Sequence, residues 1–204
     1  MPYFKNLNIL FIHIPKTGGS VIADEITKKG KRRVSSGRRH NRLPKPYNKK
    51  SLQHQFYTTL YKYRDRLHIN FKNIKIFSVV RNPYDRTISD LFYNNLIKED
   101  FSPDKVFDVL KNNYLYKDNY DNHNVPQYKF VTDKNEKLIP NIRIFKTETL
   151  NKDNKLINDY LKIDINIVQK NVNKDYSKYL NKKSINLINE FYYKDFELFN
   201  YKMI

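Results

Sequence analysis

The chain contains no cysteine. Disulfides, thiolate metal sites and a cysteine nucleophile are therefore excluded. No apolar run approaches the roughly 20 residues that a helix needs to span a bilayer. The stretch Met1 to Ile14 lacks a signal-peptide layout, because its apolar part is short and no small-residue cleavage site follows. A cytoplasmic protein without a membrane span is expected. Glycine is scarce, at 4 of 204 residues, and no low-complexity linker divides the chain. One compact domain over residues 1–204 follows as the expectation. Acidic residues are missing from Ile26 to Arg64, where Lys28, Lys29, Lys31, Arg32, Arg33, Arg38, Arg39, Arg42, Lys45, Lys49 and Lys50 crowd together.

What is abundant is positive charge and aromatic surface. The formal net charge is +18, with 17 Tyr and 13 Phe. Such a charge attracts anions, whether nucleic acid, nucleotide, acidic glycan or membrane surface, and does not choose among them. Much of it also reads as ordinary solvated lysine.

Strand and helix signals alternate along the chain. Residues 8–14 form a short run of mainly β-branched and aromatic residues, a buried-strand pattern ended by Pro15. Gly18 and Gly19 permit a tight loop, and Ser20 is a candidate cap for a helix through Val21, Ile22, Glu25 and Ile26. The basic stretch Lys28 to Lys50, with Gly30, Gly37, Pro44 and Pro46, reads as a surface loop. A helix is predicted from Ser51 to about Arg66, and a second strong strand over residues 73–80. Asn82-Pro83 opens another helix, with Asn82 as N-cap, Pro83 in the first turn and Asp85 near the positive end. Further helices are predicted at 103–113, 153–161 and 182–196, with a third strand at 141–145. The alternation argues for α/β, a P-loop-like three-layer fold with a central parallel sheet flanked by helices.

Two constellations carry chemistry. Pro15-Lys16-Thr17-Gly18-Gly19-Ser20 follows directly after a strand. It offers backbone N–H groups, a helix N-terminus, hydroxyls and a cation, which is what a phosphate needs. It is not a Walker A loop, since Lys16 precedes the glycines. The alternative is an ordinary capped turn. The second constellation places Arg81 at the carboxyl end of a strand, where open α/β sheets bind ligands, with Ser89 about two turns into the next helix. Arg81 could equally form a structural ion pair, and Arg86 reads as a residue that pairs with a carboxylate to hold the segment.

Together these segments resemble the signatures of the sulfotransferases that use 3′-phosphoadenosine 5′-phosphosulfate (PAPS). The likeness is to the carbohydrate branch with the chondroitin, dermatan and heparan 2-O enzymes and their short bacterial or viral relatives. Residues 11–20 look like the 5′-phosphosulfate loop, and residues 78–89 look like the 3′-phosphate segment. Weaker likeness continues at His123 with Pro126-Gln127, at residues 144–150, at Asn173 and at residues 193–201. The resemblance implies that Lys16 contacts the phosphosulfate and stabilises charge on the leaving phosphate oxygen. It implies that Thr17, Gly18, Gly19 and Ser20 cradle the same group, and that Arg81 and Ser89 hold the 3′-phosphate. It implies a nucleotide donor, a hydroxyl acceptor (a saccharide or another hydroxyl compound, anionic ones included) and no metal.

Members of the family commonly use a His or Glu between the two nucleotide motifs as base. His54 stands at that place, with Glu25 as the second candidate. An exposed helix histidine with no catalytic role is the alternative for His54. His13 reads as structural, His40 as a residue near the acceptor, and His123 and Gln127 either line the acceptor cleft or fix a loop. The animal Golgi members of this branch carry a membrane anchor and disulfides. A chain without cysteine or a long apolar segment does not inherit their setting or their polymer substrates. Two other classes stay open at this point: an ATP- and magnesium-dependent phosphotransferase, against which the loop order counts, and a basic nucleic-acid-binding protein. No nucleic-acid module is recognisable, so no stable nucleic acid partner is expected.

Overall fold

The structure, a computed structural model, describes residues 3–29, the backbone of 33–34, and residues 42–118, 120–168 and 175–204. Part of the basic stretch, including Lys31, Arg32, Arg38, Arg39 and His40, lies outside the described residues, as does Asn173.

Among the described residues, five strands form one sheet: β1 (Tyr3–Phe4), β2 (Ile9–Ile12), β3 (Arg33–Val34), β4 (Lys75–Val80) and β5 (Ile142–Lys146). Their order is β3-β1-β2-β4-β5. The three longer strands are parallel, with Phe11 opposite Phe77 and Phe77 opposite Arg143. The two-residue strands β1 and β3 extend one edge antiparallel. The helices are α1 (Gly19–Lys28), α2 (Tyr57–Lys62), α3 (Pro83–Tyr93), α4 (Pro103–Val109), α5 (Tyr128–Val131), α6 (Asn154–Leu161), α7 (Lys182–Phe191) and α8 (Tyr193–Leu198).

Side chains alternate across a strand, so each parallel strand feeds two cores. Ile9, Phe11, Phe77, Val79 and Phe145 pack with Ile22, Ala23 and Ile26 of α1 and Ile157 and Leu161 of α6. Leu10, Ile12, Ile76 and Val80 pack on the other face with Leu60 of α2, Phe130 and Val131 of α5, and Phe199. These are the three expected layers. A third core joins α3, α4, α7 and α8 through Ile88, Leu91, Val106, Ile188 and Phe196. Burying each such side chain contributes on the order of 1.5–3 kcal/mol.

Local signals decide several boundaries. Asn82 caps α3, its Oδ1 accepting from the Tyr84 amide at 3.0 Å, with Pro83 and Asp85 in the first turn as expected. Helix α1 differs from expectation: its N-cap is Gly18 in the left-handed conformation (φ 74°), and Ser20 lies exposed inside the first turn. Gly19 is required by packing, because a Cβ there would sit 2.2 Å from Cζ of Phe11.

The long helix predicted from Ser51 does not form. A 3₁₀ turn over Leu52–His54 is followed by extended Gln55 and Phe56 (ψ 147° and 152°) and then by the short α2. Tertiary hydrogen bonds compete with the helix here. The Ser51 amide donates to Asp121 Oδ1 at 2.6 Å, and Gln55 Nε2 donates to the Tyr47 carbonyl at 2.9 Å. The helix predicted over 182–196 is likewise interrupted, at Tyr192 between α7 and α8. The one over 103–113 continues beyond α4 as a π-helical turn at Leu110–Tyr114.

Candidate active site

Beyond the carboxyl ends of β2 and β4 lies a cleft of about 540 Å³. Its lining includes His13, Lys16, Gly18, Ser20, Gln53, His54, Arg81, Ser89, Tyr93, His123 and Tyr176. The sheet edge is where the fold leaves backbone and side chains converging on open space.

The first wall is the turn from β2 into α1. Lys16 takes a left-handed backbone (φ 65°), uncommon for a residue with a side chain. Such a conformation costs on the order of 1–3 kcal/mol and persists only where its surroundings enforce it. Those surroundings are hydrogen bonds: Thr17 Oγ1 donates to the Ile14 carbonyl at 2.9 Å, and Thr147 Oγ1 donates to the Thr17 carbonyl at 2.6 Å. The Thr17 hydroxyl is thus turned into the protein and fully buried. Gly19 is also buried, so the cradle facing the cleft is built from Lys16, Gly18 and Ser20. Helix α1 has no acidic residue in its first turn, and its N-terminal partial charge is left for an anion. Lys16 Nζ lies 4.2 Å from the centroid of the Tyr93 ring. Partial burial pulls its pKa below the usual lysine value; Asp90 opposes the shift and Arg81 adds to it.

The second wall starts at Arg81. Its guanidinium reaches the first wall, Nη1 donating to the Lys16 carbonyl at 3.2 Å. Its backbone is clamped by the amide of Gln127, which accepts from the Arg81 N–H at 2.9 Å and donates to its carbonyl at 2.8 Å. Gln127 is in turn held by buried Asp195, whose two oxygens accept from the amides of Gln127 and Tyr128, each at 2.8 Å. Glu148 accepts from the Asn82 amide at 2.7 Å and from the Tyr201 hydroxyl at 2.9 Å. The weaker sequence signals at Pro126-Gln127, 144–150 and 193–201 therefore have a shared role: they seat the segment that carries Arg81. Ser89 lines the cleft from the outer part of α3. Among the described residues no carboxylate lies within 4.0 Å of the Arg86 guanidinium, in place of the expected ion pair. Fully buried, Arg86 donates to three carbonyls, Pro15 at 3.1 Å, His123 at 2.5 Å and Val125 at 3.0 Å, joining the two walls.

The floor is made of histidines. His54 is buried, not exposed on a helix, and its Nδ1 lies 2.9 Å from Asp121 Oδ2. His123 Nδ1 lies 2.7 Å from Asp90 Oδ1, and Tyr114 donates to the other Asp90 oxygen at 2.5 Å. A carboxylate only accepts, so each Nδ1 carries the hydrogen. The rings of His54 and His123 meet edge to face with centroids 4.9 Å apart, and His13 lies 5.4 Å from His54. Burial lowers the pKa of His54 despite the opposing Asp121 hydrogen bond, with His123 adding to the lowering. Burial likewise opposes the charge of Asp121, yet the bonds from His54 and Ser51 prevail and hold it well below the usual carboxylate range. The pair is a neutral imidazole donating to an ionised carboxylate.

Glu25, the other base candidate, stands two turns along α1, pairs with Lys28 at 2.5 Å and does not line the cleft. His68 belongs to a separate basic recess with Lys5, Arg42 and Arg66. Asp90, Asp121, Tyr93 and Tyr176 were not singled out from sequence. Nothing in their spacing marks them, because Asp90 and Tyr93 on α3 meet Asp121 and Tyr176 from two distant segments.

An α/β chain with a strand–turn–helix, a clamped arginine and buried histidines at the carboxyl edge of its sheet has the arrangement in which open α/β folds bind ligands. Residues 3–202 match the Sulfotransferase family, and the chain belongs to that family. It is a sulfotransferase by this membership. No curated protein and no solved structure matches the chain.

Proposed function

We propose that the chain transfers the sulfuryl group of PAPS to an acceptor hydroxyl, with a saccharide as the acceptor class. The observation that carries this reading is the convergence of Lys16, Arg81, Ser89 and carboxylate-backed His54 on one cleft of a sulfotransferase-family chain.

In this reading the 5′-phosphosulfate lies across Lys16, Gly18, Ser20 and the α1 N-terminus, and the 3′-phosphate lies against Arg81 and Ser89. The acceptor oxygen attacks sulfur in line as the bond from sulfur to the 5′-phosphate oxygen breaks. His54 Nε2 takes the acceptor proton, and Asp121 steadies the imidazolium that forms. Lys16 stabilises the charge that grows on the leaving phosphate oxygen. The products are 3′-phosphoadenosine 5′-phosphate and a sulfate ester.

Calorimetric titration with 3′-phosphoadenosine 5′-phosphate, beside ATP and AMP, tests the donor. Tight binding of the bisphosphate alone supports the reading. Equal or better binding of ATP, with ATP turnover, favours a phosphotransferase instead.

A further inference from the structure

His54 and His123 share an arrangement that general base catalysis does not need twice. Each imidazole is buried, lines the same cleft, and has its Nδ1 tied to a separate carboxylate, Asp121 for one and Asp90 for the other. Metal-ligating histidines are oriented in this way, their second nitrogen donated to a carboxylate that fixes the tautomer and raises the basicity of the ligating one. The rings are in contact, with centroids 4.9 Å apart. One donor atom each from His54, His123 and Asp121 can be chosen so that all three lie within 4.8 Å of one another. Two imidazole nitrogens match the preferences of a borderline divalent transition ion such as Zn²⁺. Oxygen-seeking Mg²⁺ or Ca²⁺ suits this set poorly.

We infer that the floor of the cleft is an inhibitory transition-metal site, in which Zn²⁺ or Co²⁺ bridges His54 and His123 while Asp121 stays bonded to His54 Nδ1. The ion occupies the His54 lone pair that would accept the acceptor proton, so binding and turnover exclude each other. That consequence rests on the base assigned to His54; the binding itself does not.

The test separates the two. Co²⁺ alone is titrated into the full chain, with neither donor nor acceptor, and followed by its visible absorption. One equivalent with the intense bands of a four- or five-coordinate ion is expected, displaced by Zn²⁺. His54→Gln and His123→Gln should each weaken binding by at least about tenfold, and Asp90→Asn by about 10–100-fold. His68→Gln, outside the cleft, should leave it unchanged. X-ray absorption of the zinc-loaded wild-type chain, which depends on no variant folding, should count two imidazole nitrogens. No Co²⁺ bound, binding indifferent to His54 and His123, or fewer than two imidazoles on zinc overturns the inference. In turnover with PAPS, Zn²⁺ should inhibit and a chelator should restore activity. Zinc bound at this site without inhibition would overturn the inhibitory role.

Discussion

On the side of the cleft proposed for the donor, residues 13–20 run from the end of β2 into α1 as one unbroken stretch that supplies His13, Pro15, Lys16, Gly18 and Ser20 to the lining. On the histidine side, the four residues that matter, His54, Asp90, Asp121 and His123, come from a 3₁₀ turn, a helix and a loop that only the folded chain brings together. The donor wall is thus a local motif whose geometry follows from a strand, a left-handed turn and a helix start. The histidine floor is a tertiary object whose parts have no fixed spacing. The two should fail differently when altered, one through donor affinity and the other through the proton.

The largest effect is expected on the histidine side. His54→Ala should lower sulfuryl transfer by about 10²–10⁴ and leave 3′-phosphoadenosine 5′-phosphate affinity within about twofold. Parallel turnover and titration would check this, and a loss of both together would erase the distinction between the walls.

On the donor side, Lys16→Ala should cost about 10²–10³ in rate, because the charge it meets develops as the bond breaks. Arg81→Ala should instead act on binding, weakening the bisphosphate by about 10–100-fold, the worth of a charge-assisted hydrogen bond, with little change for AMP. Titration of each variant with both nucleotides sharpens the comparison by separating a leaving-group contact from a 3′-phosphate contact.

A smaller effect is expected where the donor wall meets the core. Gly19→Ala drives a Cβ to within 2.2 Å of the Phe11 ring. Overpacking of this kind costs about 1–3 kcal/mol, read as a lowered Tm. The loss should appear in stability first and in donor affinity only as α1 is displaced.

The smallest effect concerns the support behind Arg81. Burial pushes the Asp195 carboxyl up to about 6, against the opposing pull of Arg86 and of the Gln127 and Tyr128 amides. The folded chain then binds this proton more tightly than the unfolded chain does. Its contribution to stability is complete below the unfolded value of 3.8 and is lost as pH rises through about 6. Denaturant titrations at pH 4, 5 and 6 should show that slope, and Asp195→Asn should abolish it. The same variant leaves one backbone N–H without its acceptor and should cost about 1–3 kcal/mol at any pH.

The parallel strands, the Asn82 cap and the turn from β2 into α1 were all legible in the chain, since each depends on neighbours in sequence. The apolar runs at 8–14 and 73–80 are long enough to read as strands, and Asn82-Pro83 is a self-contained helix start. The Ser51 helix was misread because its competitor, Asp121, lies 70 residues away. The same competitor turns His54 from an exposed helix residue into a buried, carboxylate-backed imidazole.

The sequence by itself determined the α/β alternation, the tight turn with Lys16 after β2, and the position of Arg81 at a strand end, because backbone conformation is set by residues a few positions apart. Only the tertiary structure decided that Thr17 turns inward, that Glu25 lies outside the cleft, and that three distant histidines meet over two buried aspartates. Those outcomes rest on long-range hydrogen bonds between groups removed from water, and such bonds exist only once the chain has closed around them.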